Sequence, residues 1–130
     1  KTTTNRSRSI LIAEDNEINA LLARSALAKA GHRVKVVGNG RAAVDAVTQA
    51  VEGQAPDIVL MDLHMPVMDG LDAIAMIRKH EEEKGAQPVP IIVLSADGQE
   101  KTRHHVLAHG ATGFVAKPLD PAALLIAVEA

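Results

Sequence analysis

The chain has no cysteine, no tryptophan and no tyrosine, and Phe114 is its only aromatic residue. Lack of cysteine removes disulfide staples and thiolate metal sites, and is compatible with a reducing compartment. A balance of 14 basic to 16 acidic residues, formal net charge -2, offers no basic stripe, so binding nucleic acid through the domain's own electrostatics is not expected. No apolar run approaches the ~20 residues of a membrane span, and no signal-peptide pattern opens the sequence. A domain without membrane contact of its own is therefore expected. Any role that needs an aromatic ring falls to Phe114.

What is present fits one domain of 130 residues whose apolar content is mostly Ala, Val, Leu and Ile. Residues 1–8 carry no apolar side chain and read as a linker, leaving residues 9–130 as the folded unit. Within it, short apolar runs at residues 10–13, 34–37, 58–61, 91–94 and 114–116 alternate with helical patterns. The first helix, residues 17–30, is expected to bury Ile18, Leu21, Leu22 and Ala26, with Leu27 on nearly the opposite side. A second, residues 40–51, turns Ala43, Val44 and Val47 inward. A third opens at Asp69-Gly70 with Leu71, Ile74 and Ile77 on its core side, and its charged end, residues 80–85, reads as solvated. The fourth, residues 99–109, has only Val106 and Leu107 as large apolar anchors, so residues 97–109 are expected to be the least protected helix. Asp120 and Pro121 open the last, anchored by Leu124, Leu125 and Val128. Five β-α units in succession predict an open parallel sheet covered by helices on both faces, a three-layer α/β/α sandwich.

The sequence around Asp62 organises this pattern. An apolar strand ends on a carboxylate and is followed by Met65-Pro66 and the helix start Asp69-Gly70. In open α/β sheets ligands bind outside the carboxyl ends of the strands. Glu14, Asp15, Asp62, Ser95 and Lys117 each follow one of four predicted strands, so they converge on that edge. Three carboxylates there repel one another unless a cation lies among them, and hard oxygen donors favour Mg²⁺ or a similar ion. A lysine and a hydroxyl opposite such a cation would clamp a tetrahedral oxyanion, which makes this a phosphoryl-handling site. A carboxylate can serve as nucleophile in that chemistry.

In motif, order and spacing, Glu14-Asp15, Met61-Asp62 with Met65-Pro66 and Asp69-Gly70, Leu94-Ser95-Ala96 and Lys117-Pro118 resemble the receiver domain of two-component response regulators. The resemblance implies a flavodoxin-like sheet of order 2-1-3-4-5. It implies Asp62 as the phosphoacceptor, taking a phosphoryl group from a histidine kinase or histidine phosphotransfer domain. Mg²⁺, or Mn²⁺, would be held by Glu14, Asp15, Asp62 and the backbone carbonyl of His64. Lys117, before an expected cis bond to Pro118, and Ser95 would bind the phosphoryl group, and Phe114 would turn inward behind it. His64 and Asp97 would flank the path of attacking water and tune dephosphorylation. The stretches Ala13–Asn19 and Ala116–Leu119 are similar to receivers fused to hybrid histidine kinases. The implied setting is a monomeric cytoplasmic domain, with a membrane anchor, where there is one, elsewhere in the parent protein.

Two other functions compete. An aspartyl-nucleophile phosphatase would usually carry an aspartate two residues after the nucleophile, where this chain has His64, and would need a cap domain. A receiver-like module that only binds partners would be expected to have lost one of the acidic residues or the lysine. His105 and His109, spaced i,i+4, have no evident third ligand and read as surface histidines.

Overall fold

The computed structural model describes residues 7–50 and 54–129. Most of the expected linker, and Val51 at the expected end of the second helix, lie outside them. Strands β1 (Ser9–Ala13), β2 (Arg33–Val37), β3 (Ile58–Asp62), β4 (Ile91–Ser95) and β5 (Gly113–Ala116) pair in parallel in the order β2-β1-β3-β4-β5. Helices α1 (Glu17–Lys29), α2 (Gly40–Thr48), α3 (Gly70–Lys84), α4 (Glu100–Ala108) and α5 (Pro121–Glu129) fill the crossovers. Asp62 lies opposite Leu94 and Ser95 opposite Ala116, so the strands end at one level and their last side chains share an edge.

The three central strands form because contiguous Ile, Val and Leu side chains suit a sheet buried on both faces. Alternation then sorts them. Ile10, Ile12, Leu60 and Leu94 pack with Ala23 and Leu27 of α1 and with Leu124 and Val128 of α5. Leu11, Val59, Met61 and Val93 face the other layer, with Val44 of α2, Ile74 and Ile77 of α3 and Val106 of α4. Asn16, Asn39 and Asp69 cap α1, α2 and α3 through side-chain oxygens that accept backbone N–H groups. Gly70 is required where it stands: its Cα lies against the carbonyl of Asp62, and a Cβ there would collide with it.

Three expectations fail, two of them about burial. The α1 face is inverted: Ala20, Ala23 and Leu27 are buried, whereas Ile18 is 77% and Leu21 64% exposed. Leu22 and Ala26 are only half-buried. Small alanines let the helix approach the sheet closely, with Leu27 as the one large side chain driven into the core. The second failure is in the charged end of α3. Glu81 is buried, its Oε1 accepting from Arg78 Nη1 at 2.7 Å and its Oε2 from the Val89 N–H at 2.7 Å. Arg78 in turn donates through Nε to the carbonyl of Gly110 at 2.9 Å, so this pair ties α3 to the segments that lead into β4 and β5. Helix α2 also stops at Thr48, short of its expected end. Helix α4 behaves as its composition implies, with Val106 its only buried residue.

Candidate functional site

The site is built at the carboxyl ends of β1, β3, β4 and β5. Glu14 is buried one residue beyond β1, and Asp62 and Ser95 are the buried last residues of β3 and β4. Lys117 follows β5, where its N–H donates to the Ser95 carbonyl at 2.7 Å. Its peptide bond to Pro118 is cis. The ammonium reaches back across the edge, with Nζ 2.9 Å from Glu14 Oε1 and 3.2 Å from Asp62 Oδ1. Asp15, exposed beside them, completes a set of three carboxylates with ligand oxygens within 4.8 Å of one another. The three carboxylates and Lys117, with His64 and Ile18, line an open cleft of about 640 Å³.

The electrostatics of the group are unbalanced. Burial pushes the Glu14 carboxyl above its ordinary range, and the neighbouring Asp62 adds to this while Lys117 and the Asn16 N–H pull the other way. Burial of the Lys117 ammonium acts to lower its pKa, but the bond to Glu14 and the charges of Asp62 and Glu14 outweigh it, and the net shift is upward. One cation is thus well compensated, while the carboxylates around it are not. Three clustered carboxylates against one ammonium leave two formal negative charges in the cluster. Glu14 Oε1 is buried, and among the described residues the Lys117 ammonium at 2.9 Å is its one close polar partner. A surplus of two negative charges, hard oxygen donors and a buried, poorly satisfied carboxylate oxygen fit a divalent cation of the Mg²⁺ class.

Ser95 Oγ accepts the N–H of Asp97 at 3.1 Å. Asp97 is exposed, and its carboxylate faces α4: Oδ1 accepts the Gln99 N–H at 3.0 Å and Oδ2 the Thr102 hydroxyl at 2.7 Å. Phe114 is half-buried on the β4–β5 side, packed against the α2–α3 layer. His64 is exposed at the cleft. His105 on α4 and His109 at its C-cap, with ring centroids 4.4 Å apart, are not among the residues that line the cleft. Sequence reasoning missed three participants. Asn16 caps α1 through its side chain, and its N–H also donates to Glu14 Oε2 at 3.1 Å. Ile18 was expected in the core and instead walls the cleft. Thr102 carried no signal beyond its distance from Asp97.

Comparison with known proteins agrees with this geometry. The chain is 40% identical over 116 residues, 89% of its length, to hybrid signal transduction histidine kinase M of Dictyostelium discoideum, of which it spans 5%. Across the curated relatives first matched, it spans between 5% and 16% of their length. Among solved structures, the receiver domain of the sensor histidine kinase PA1611 from Pseudomonas aeruginosa, with a magnesium ion coordinated in its active-site cleft, is 32% identical. Its TM-score is 0.78, with 96% of this chain and all of that one covered. The Saccharomyces cerevisiae receiver domain of Ssk1, solved with the histidine phosphotransfer protein Ypd1, gives 31% identity and a TM-score of 0.83 over 91% of this chain and 83% of that one. Residues 10–129 match the response regulator receiver domain. With the fold, the cleft and these similarities in agreement, the chain belongs to the receiver domain family of two-component signalling.

Proposed function

We propose that the domain takes a phosphoryl group onto Asp62 from a phosphohistidine, supplied by a histidine kinase or a histidine phosphotransfer protein, and passes the signal on as a change of shape. The observation that carries this reading is the position of Asp62: a buried carboxylate at a strand end, 3.2 Å from the Lys117 ammonium and within the acidic cluster. An Asp62 carboxylate oxygen attacks phosphorus in line with the phosphohistidine P–N bond. The new O–P bond forms as P–N breaks, and the electron pair stays on the imidazole, which leaves neutral when its other nitrogen holds a proton. Lys117 is placed to pair with the phosphoryl oxygens, and Ser95 can donate its hydroxyl to one of them. Glu14, Asp15 and Asp62, with the His64 carbonyl, would hold Mg²⁺, or Mn²⁺ with the same preference for oxygen. When bound, such an ion supplies neutralisation of the charge on the transferring group. By the resemblance to receivers, His64, which lines the cleft, and Asp97 would tune how fast water removes the phosphoryl group.

The exposed Ile18 and Leu21 give the donor a place to dock. Ile18 lines the cleft and Leu21 lies one turn further along α1, both of them exposed. A phosphohistidine held on a partner that covers these two side chains would meet Asp62 with its ring pointed into the cleft.

Phosphotransfer from a radiolabelled phosphohistidine domain tests the reading. Label is expected on the wild-type chain and absent from Asp62→Asn. Leu21→Asp should slow transfer from the protein donor by at least about tenfold, while a small phosphodonor reacts with it at the wild-type rate. Label on Asp62→Asn would overturn the assignment of the acceptor.

A further inference from the structure

Helix α4 is held by unusual means. Val106 is its only fully buried side chain, with Leu107 half-buried against the core, and its N-cap residue, Gln99, makes no side-chain capping bond. The capping is done from two residues further back. Asp97 accepts the Gln99 N–H and the Thr102 hydroxyl with its two carboxylate oxygens, and donates its own N–H to Ser95 Oγ. One residue therefore links the hydroxyl at the end of β4 to the first turn of α4. At the far end, Arg78 holds the carbonyl of Gly110 at 2.9 Å, which fixes the segment just past α4 to α3. The helix is pinned behind and tethered in front.

We propose that Asp97 is a positioning residue that makes the start of α4 report the orientation of the Ser95 hydroxyl. With the hydroxyl turned back, its oxygen accepts the Asp97 N–H and the carboxylate is held where it caps the helix. When the hydroxyl turns into the cleft toward an anionic oxygen, the Asp97 N–H loses its acceptor. The turn at residues 97–99 then reorganises, and the cap on Gln99 and Thr102 goes with it. Because α4 has so little buried apolar surface, loss of this tether changes how often its first turn opens while the Arg78 end stays fixed. The inference rests on the proposed phosphoryl-acceptor function for its trigger, but not for the tether itself.

Hydrogen exchange, read by peptide mass and run with and without acetyl phosphate and Mg²⁺, separates the two. Without phosphodonor, Ser95→Ala, Thr102→Val and Asp97→Ala should each speed exchange in residues 100–104 by about fivefold, the equivalent of a lost N-cap, with α3 unchanged. Asp97→Asn keeps an oxygen for Gln99 and an amide that can donate to Thr102, so it should restore most of the protection. With phosphodonor, the wild-type chain should show faster α4 exchange. Asp97→Ala, equally phosphorylated by intact mass, should show no further change. Wild-type-like α4 exchange in Ser95→Ala and Thr102→Val would overturn the tether, as would a full phosphodonor response in phosphorylated Asp97→Ala. Absence of phosphorylation in the wild-type chain would instead remove the function on which the trigger rests; the arms without phosphodonor would still decide whether the tether exists.

Discussion

Lys117→Met removes the one ammonium between two buried carboxylates and keeps the length of its stem. At an effective dielectric of about 20, attraction across 2.9 Å to Glu14 is worth about 6 kcal/mol, and across 3.2 Å to Asp62 about 5. Desolvation of the ammonium offsets much of that gross gain, and breaking a buried pair from one side typically costs 3–5 kcal/mol, so about that order is the ceiling here. Glu14 can limit the loss by taking up a proton, since its carboxyl already lies above its ordinary range through burial and the charge of Asp62. The expected destabilisation is about 3 kcal/mol in the presence of a chelator at neutral pH. Without Lys117 the cleft carries three uncompensated carboxylates, so it should bind Mg²⁺ more tightly and gain more stability from it. At about 10 mM Mg²⁺ the deficit should shrink to about 1 kcal/mol. Urea unfolding followed by far-ultraviolet circular dichroism measures both, because the chain has no tryptophan to report by fluorescence. A variant as stable as wild type in chelator, or a deficit that Mg²⁺ leaves unchanged, would refute the account of the cleft as one short of positive charge.

The remaining predictions concern packing and pH. Leu27→Ala should cost about 3 kcal/mol, in the range for buried leucines, while Leu21→Ala should fall within about 0.5 kcal/mol; urea unfolding of the pair decides which face of α1 is the core face. Glu81→Ala strands Arg78 and the Val89 N–H and should cost about 3 kcal/mol, against about 0.5 or less for the exposed neighbour Glu82→Ala. Asp97 is held below the ordinary carboxylate value of 3.8 by the Thr102 hydroxyl and the Gln99 N–H, with Lys101 adding attraction against a small effect of burial. A carboxyl depressed in the folded state contributes stability that is complete above its unfolded value and lost as pH falls through the folded one. Protection of α4 amides, corrected for intrinsic exchange, should therefore fall below about pH 4 in wild type and show no such step in Asp97→Ala.

Where structure follows from contiguous pattern, the sequence is legible. The runs ending on Asp62 and Ser95 are apolar without interruption, long enough only for strands, and each is followed by turn and cap residues. Their meeting at one edge then follows from the parallel order alone, since every crossover returns the chain to the same side. The α1 face was not legible, because apolar residues occupy both sides of that helix. Ranking them by size selects Ile18, Leu21 and Leu22, whereas the fold selects Ala20, Ala23 and Leu27, a stripe that permits closer approach to β1 and β3. Ile18, which by size looks like core, is surface that lines the cleft. Glu81 was hidden for a different reason. It lies in a run of three glutamates, and nothing local distinguishes it from Glu82 and Glu83. Its partners are a loop N–H eight residues on and an arginine that also reaches Gly110, contacts that exist only once α3 and the segment after α4 have packed. The role of Asp97 as a cap was obscured in the same way, since it stands two residues before the residue that a cap rule would choose.

The central claim is that Asp62 accepts a phosphoryl group in a cleft that a divalent cation completes. Intact mass of the wild-type chain and of Asp62→Asn, after incubation with acetyl phosphate with Mg²⁺ or with a chelator, tests it most directly. The account predicts the mass gain of one phosphoryl group in the wild-type chain, only with Mg²⁺, and none in the variant. A folded wild-type chain that gains nothing from acetyl phosphate or from a phosphohistidine domain, or an Asp62→Asn chain that gains as much as wild type, would contradict it.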